Sequence, residues 1–107
     1  MAQKKALIIC AAGMSSSMIA AKAMALLQEQ GHDIFMEARG TQEGTKLVAD
    51  NTYDLYLVSP QTKMYWKNLK DTADRSGANI IQIPPQAYIP IPSGIANMAK
   101  LVLDNIK

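Results

Sequence analysis

Four short apolar runs divide this chain, and a helix-like segment follows each of them. The runs are Lys5 to Ile9, Asp33 to Ala38, Asp54 to Val58 and Asn79 to Ile83. The first lacks the polar–apolar alternation of a half-exposed strand, so it reads as a strand buried on both faces. Helices are expected from about Ser16 to Gln30, Gln42 to Asp50 and Thr62 to Ser76, with a last one beginning after Ser93. Ser15 or Ser16 is the expected cap of the first helix, and Gly31 its C′ residue. Leu47 and Val48 are the main apolar contacts of the second helix. Tyr65, Trp66, Leu69 and Ala73 are at core spacing on the third, which Gly77 ends. Ser93 caps the fourth, where Ile95, Met98, Ala99, Val102, Leu103 and Ile106 make one stripe. A Pro-rich stretch from Pro84 to Pro92 precedes it. Four strand–helix units with short connections predict an α/β fold: a four-stranded parallel sheet with helices on both faces, in three layers. Right-handed crossovers give the expected strand order 2-1-3-4.

Such a sheet binds ligands beyond the carboxyl ends of its strands, where the order switches between the first and third. Three segments border that point: Cys10 to Ser16, Ser59-Pro60-Gln61, and the stretch after the fourth strand. Sequence order alone brings Cys10, Gln61 and Tyr88 towards one rim.

The 107 residues fit a single domain over 1–107, and 49% hydrophobic against 19% charged residues fits a folded core. A net charge of +2 with scattered basic residues argues against a nucleic-acid partner. One cysteine and no CxxC make a disulfide, a zinc site or a thioredoxin-type dithiol unexpected. No metal or cofactor is implied. A lone cysteine suits a reducing compartment. No segment has the length of a secretory core or a membrane span, so a soluble cytoplasmic protein is expected.

Cys10 is the residue with chemistry to offer. It ends the first strand and is followed by Ala11, Ala12, Gly13, Met14, Ser15, Ser16 and Ser17, which lead into a helix. Successive backbone N–H groups and a helix N-terminus make an anion cradle. Small residues let the backbone wrap closely, and the serines add hydroxyls. The thiolate would be a nucleophile towards phosphorus, with the cradle holding the phosphoryl oxygens. A strand-end cysteine is often only a small core residue; the Gly/Ser stretch leading into a helix favours the functional reading.

The loop resembles the Cys-x5-Arg signature of low-molecular-weight tyrosine phosphatases, but Ser16 stands at the arginine position. Arg39 follows the second strand, and Arg75 lies late in a helix. The segments after the first, third and fourth strands contain no Asp or Glu to protonate a leaving group or activate water. The site looks built to hold a phosphoryl group on sulfur rather than hydrolyse it.

That combination is similar to the IIB component of the phosphoenolpyruvate-dependent sugar phosphotransferase system, in its lactose/cellobiose (diacetylchitobiose) class. The carrying residues are Ile9-Cys10-Ala11-Ala12-Gly13-Met14-Ser15-Ser16-Ser17-Met18, near that family's Cys-x-x-Gly-Met-Ser-Thr-Ser. Pro60-Gln61 after the third strand and a tyrosine after the last strand add to it. Ser59 departs from a common Gly, and Ile89-Pro90-Ile91-Pro92 follow Tyr88 where Gly is frequent. The resemblance implies a cytoplasmic transferase, peripheral to the membrane's inner face. Cys10 would accept phosphate from a histidine of a IIA protein and pass it to sugar at a IIC membrane permease. A β-linked disaccharide such as cellobiose is the implied sugar. Two other classes remain: a phosphatase of the low-molecular-weight type, and a phosphorylation-sensing module of the same fold.

Other residues carry weaker expectations. His32 precedes the second strand, at the end away from the rim, and reads as a surface residue. One of Met14 and Met18 is a candidate for a docking face. Gln61 is a candidate phosphate or loop contact, and Tyr88 a candidate cover. Lys63 and Lys67 suit either a solvated face or an acidic partner.

Overall fold

The computed structural model describes residues 3–10, 13–89 and 91–106, those at 13–15 and 61 by their backbone alone. Ala11 and Ala12 therefore lie outside the described residues, as do the side chains of Gly13, Met14, Ser15 and Gln61. In chain order the elements are β1 (Lys4–Cys10), α1 (Gly13–Glu29), β2 (Ile34–Gly40), α2 (Thr41–Asp50) and β3 (Leu55–Val58). A 3-10 helix (Pro60–Tyr65), α3 (Trp66–Ser76), β4 (Ile80–Gln82), a second 3-10 helix (Pro85–Ala87) and α4 (Pro92–Asn105) complete them.

The sheet is parallel throughout, in the order β2-β1-β3-β4. Successive residues of a strand face opposite sides, and β1 shows the consequence. Ala6 and Ile8 join a core with Ile19, Ala23 and Leu27 of α1 and Met98 and Val102 of α4. Leu7 and Ile9 join a second core with Val48, Tyr56, Leu69 and Ala73 on the α2–α3 side. The same parity assigns Cys10 to the α1–α4 side. Leu55 and Leu57 also belong to that side, so Ser59, two residues on, follows them. Ile9 is in register with Val58, and the next step along each strand sets Ser59 beside Cys10. Sheet register, rather than sequence proximity, thus places a serine next to the thiol.

Several boundaries differ from the expected ones. α1 starts at Gly13, so Ser15 and Ser16 are not caps; Ser16 lies inside the helix and is buried. The chain turns into the helix almost at once after β1, which overrides the capping preference of serine. At α4, Pro92 takes the first helical position and Ile91 the cap, displacing Ser93 from that role; the fixed φ of proline is preorganised for that place. The third helix divides, because Thr62 adopts φ −112° and ψ 21° and ends regular winding after Pro60. Tyr65 then falls in the 3-10 turn and is exposed, against its expected core position, while Trp66 packs on the α2–α3 core. β2 runs on to Gly40 and α2 follows directly at Thr41, with no intervening loop.

Both glycine stops hold. Gly31 has φ 91°, with bonds from its N–H to Gln28 O and from His32 N–H to Leu27 O. That is the paired closure of a left-handed C-terminus. Gly77, at φ 77°, closes α3 in a left-handed conformation too, with both its own N–H and that of Ala78 bonded to Ala73 O.

One buried polar group ties the α2–α3 side together. The Tyr56 hydroxyl donates to Leu47 O at 2.6 Å and accepts from Tyr53 N–H at 3.1 Å. Tyr56→Phe strands the Tyr53 N–H, while Leu47 O keeps its bond from Asn51 N–H, and should cost about 1 kcal/mol of stability, read as a lower midpoint in urea at unchanged slope.

Candidate functional site

The site is built where β1 and β3 end. Cys10 is fully buried on the α1–α4 side of the sheet. Gly13, three residues on, begins α1. The first turn of a helix has N–H groups without intrahelical partners, and its dipole is positive. An anion on the sulfur of Cys10 therefore meets the favourable end of a 17-residue helix.

Hydroxyl groups from four other positions converge on the same point. The Ser16 hydroxyl is hydrogen-bonded to the Tyr88 phenol. Tyr88 also interacts through side-chain hydrogen bonding with Cys10 and Ser59. Ser59 Oγ lies 3.0 Å from Thr62 Oγ1, which in turn reaches Ser59 O at 3.0 Å and Ile9 O at 3.3 Å. Ser16, Ser59 and Thr62 are all buried, and Tyr88 is half-buried. Burial pushes the Tyr88 phenol above its ordinary value, and the neighbouring Cys10 adds to this. Hydrogen bonds from Ser16 and Ser59 offset part of it. The phenol is thus neutral at physiological pH and has a proton to donate.

The position of Tyr88 depends on one close approach. A Cβ on Gly94, in the first turn of α4, would lie 2.2 Å from Ile89 O. Only a residue without a side chain lets α4 touch the backbone that follows Tyr88. Ile91 N–H bonded to Ile89 O and Tyr88 N–H bonded to Pro85 O complete that turn.

The sequence-expected residues are distributed as follows. Cys10, Ser16 and Tyr88 come together. Ser17 is exposed on α1, and Pro60 lines an open groove of about 400 Å³ with Lys63, Gln82, Ile83, Pro84 and Pro85. Arg39 is engaged by carboxylates, its guanidinium 2.6 Å from Glu37 and 3.4 Å from Glu43. Arg75 sits in the last turn of α3, and His32 is exposed. Lys63 and Lys67 are exposed as well. Ser59, expected at the rim only as part of its loop, and Thr62, expected only as a helix start, join the candidate site by their hydroxyls. The one signal that could have found them is the β1–β3 register.

Among the described residues the exposed large hydrophobic side chains are Met18, Met64, Tyr65, Ile89 and Ile91. All of them belong to the segments that follow β1, β3 and β4. Among the described residues, no group of three or more His, Cys, Asp or Glu is placed to hold a metal ion, and no helix is long and apolar enough to cross a membrane.

Comparison with known proteins agrees with this architecture. Residues 5–101 match the family model described as "PTS system, Lactose/Cellobiose specific IIB subunit". The structure superposes on the lactose-specific IIB component domain from Streptococcus pneumoniae with a TM-score of 0.83 at 20% identity, covering 99% of this chain and 100% of that one. It superposes on the cellobiose-specific phosphotransferase IIB component from Borrelia burgdorferi with a TM-score of 0.75 at 21% identity, covering 98% and 93%. At these identities the two structures speak for the fold. No curated protein matches by sequence comparison.

Proposed function

The chain belongs to the lactose/cellobiose-specific IIB family of the sugar phosphotransferase system, and on that premise we propose that Cys10 is its phosphoryl-carrying residue. The coarse role, a phosphotransferase in sugar uptake, comes with the family. The residue-level mechanism is our reading of the site. A IIA partner presents a phosphohistidine, and the Cys10 thiolate attacks phosphorus in line. The S–P bond forms as the N–P bond breaks, and the thiol proton is taken up by the released imidazole or solvent. The phosphoryl group then rests in the cradle of residues 11–17, with Ala11, Ala12, Gly13, Met14 and Ser15 offering backbone N–H groups. A sugar hydroxyl at a membrane IIC partner attacks next; the O–P bond forms as the S–P bond breaks. A β-linked disaccharide such as cellobiose is the sugar we assign. On this reading the protein works at the inner face of the membrane.

The observation that carries this reading is the convergence of neutral donors on Cys10 without a carboxylate or arginine among them. A phosphatase must activate water with an acid or base, and the three segments around the thiol contain none. Slow hydrolysis is what a carrier needs between donor and acceptor. The exposed Met18, Met64, Tyr65, Ile89 and Ile91 give both partners an apolar face, and methionine adapts to more than one surface.

Incubation with phosphoenolpyruvate and the upstream carriers, followed by mass spectrometry, tests the reading: one phosphate should appear, and on Cys10. Transfer onward in IIC-containing membranes should yield sugar phosphate. Steady release of inorganic phosphate from an aryl phosphate would point instead to the phosphatase.

Tyr88 has a separable part, donating to a phosphoryl oxygen. A hydrogen bond to a charged group contributes about 1.5–3 kcal/mol, so Tyr88→Phe should slow phosphate transfer about tenfold or more. Its ionisation is observable in the ultraviolet. Tyr53 is also pushed above its ordinary value, by burial first and then by Glu37, so the Phe variant identifies which inflection is Tyr88. The folded state holds the Tyr88 proton more tightly than the unfolded chain does. Its contribution to stability is therefore intact below about pH 10 and is lost as pH rises towards the folded-state value. Urea midpoints measured from pH 9 upward should fall less steeply in the Phe variant.

A further inference from the structure

Ser59 and Thr62 are buried and take no part in the transfer described above, yet their hydroxyls continue the line that begins at Ser16 and Tyr88. We propose that Ser59, backed by Thr62, is a positioning residue that sets which way the Tyr88 proton points. It lets the phenol accept a hydrogen bond when Cys10 is a thiol and donate one when Cys10 carries phosphate. The inference rests on the phosphocysteine reading and extends it to two residues outside the cradle.

The argument is one of proton counting. Each hydroxyl has one proton to give, and a carbonyl oxygen can only accept. Thr62 Oγ1 is in reach of two carbonyls, Ser59 O at 3.0 Å and Ile9 O at 3.3 Å. When Thr62 donates to either, its oxygen can only accept from Ser59, 3.0 Å away. Ser59 has then spent its proton and accepts from Tyr88. The phenol oxygen, its own proton committed to Ser59, accepts from Ser16 or the Cys10 thiol. In the reverse order Thr62 donates to Ser59, Ser59 donates to Tyr88, and the phenol proton faces Cys10. A phosphoryl oxygen there favours this second order.

The reversal leaves no group stranded. Both carbonyls that Thr62 releases keep a backbone donor, since Thr62 N–H bonds to Ser59 O at 3.1 Å and Ser59 N–H to Ile9 O at 2.9 Å. Three hydroxyl rotations in a buried site are all that is needed. Because buried polar networks are costly when half-satisfied, a line that can be satisfied in both directions suits a residue that alternates between two charge states.

The test uses the full chain with Ser59→Ala, Thr62→Val and Thr62→Ser, each checked for folding by circular dichroism. Thr62→Val keeps the shape and removes the hydroxyl. The first readout is the ultraviolet titration of Tyr88, which needs no phosphate. Ser59→Ala should move the Tyr88 inflection to higher pH, Thr62→Val should move it in the same direction by less, and Thr62→Ser should leave it in place. The second readout is transfer from the phosphorylated donor protein. Ser59→Ala should lower kcat about three- to tenfold, the size of one hydrogen bond, with KM for the donor protein unchanged. A Tyr88 inflection that stays put in Ser59→Ala overturns the inference, as does a rise in KM without a fall in kcat. Failure of the parent protein to take phosphate on Cys10 overturns the carrier reading instead, and the titration still decides the hydroxyl line.

Discussion

Cys10→Ala should retain the fold and lose the phosphate label entirely. On the proposed reading the sulfur forms the bond to phosphorus, while the hydroxyls of Ser16, Ser59 and Tyr88 are neutral and committed to one another. The substitution removes one buried atom at the end of β1, so the stability cost is that of a small cavity, about 1 kcal/mol. Loss of transfer together with a near-normal urea midpoint separates chemistry from folding. Cys10→Ser is the sharper companion. It keeps a nucleophilic atom in place, but a serine hydroxyl is scarcely ionised. Transfer should fall by at least about a thousandfold, a difference of roughly 4 kcal/mol in barrier. A label that persists in Cys10→Ala would place the phosphate elsewhere and end the assignment.

Gly94→Ala is expected to be the most damaging change outside the cradle. The added methyl would stand 2.2 Å from Ile89 O and 2.9 Å from Ile89 Cβ. The first of these is backbone, so the clash is not relieved by rotating a side chain. Either α4 tilts away from the sheet, opening the core around Ile95 and Met98, or the Ile89 peptide moves and takes Tyr88 with it. Overpacking of this kind costs about 3 kcal/mol, visible as a lower urea midpoint. Where the protein still folds, transfer should fall at least as far as in Tyr88→Phe, because the phenol is displaced rather than trimmed. Stability and transfer both at parent levels would show that the approach of α4 to the Tyr88 turn is loose.

The sheet was legible because its rules are few. Apolar runs of strand length, helical segments between them and right-handed crossovers leave little choice of order, and Cys10 ends the first run. Tyr88 was visible as a residue after the last strand, and Ser16 as a member of the loop. What the sequence hid was direction and register. Three consecutive serines read as a helix start, whereas the helix begins at Gly13 and turns Ser16 inward. Strand order brought the Ser59 loop to the rim, but no periodicity or charge marks the Ser59 or Thr62 hydroxyl. Which residue of that loop lies beside the thiol follows from the pairing of Ile9 with Val58, a long-range fact that no local pattern encodes. Tyr65 was misplaced for a related reason: its spacing matched a helix that starts one residue later.

The apolar collar has a kinetic consequence. All of the exposed large apolar side chains among the described residues lie on the segments that follow β1, β3 and β4, so on the proposed reading donor and acceptor proteins would cover the same ground and exclude each other. A carrier of the proposed kind would then work by a ping-pong scheme, dissolving one complex before forming the next. Its throughput is bounded by how long each encounter lasts. With an association rate of about 10⁶ M⁻¹s⁻¹, a partner held at micromolar affinity leaves in about one second, whereas one held at nanomolar affinity stays for about a thousand. Selection on such a surface acts against tight binding, and a handful of exposed methionine, isoleucine and tyrosine side chains is the kind of footprint that releases as readily as it engages.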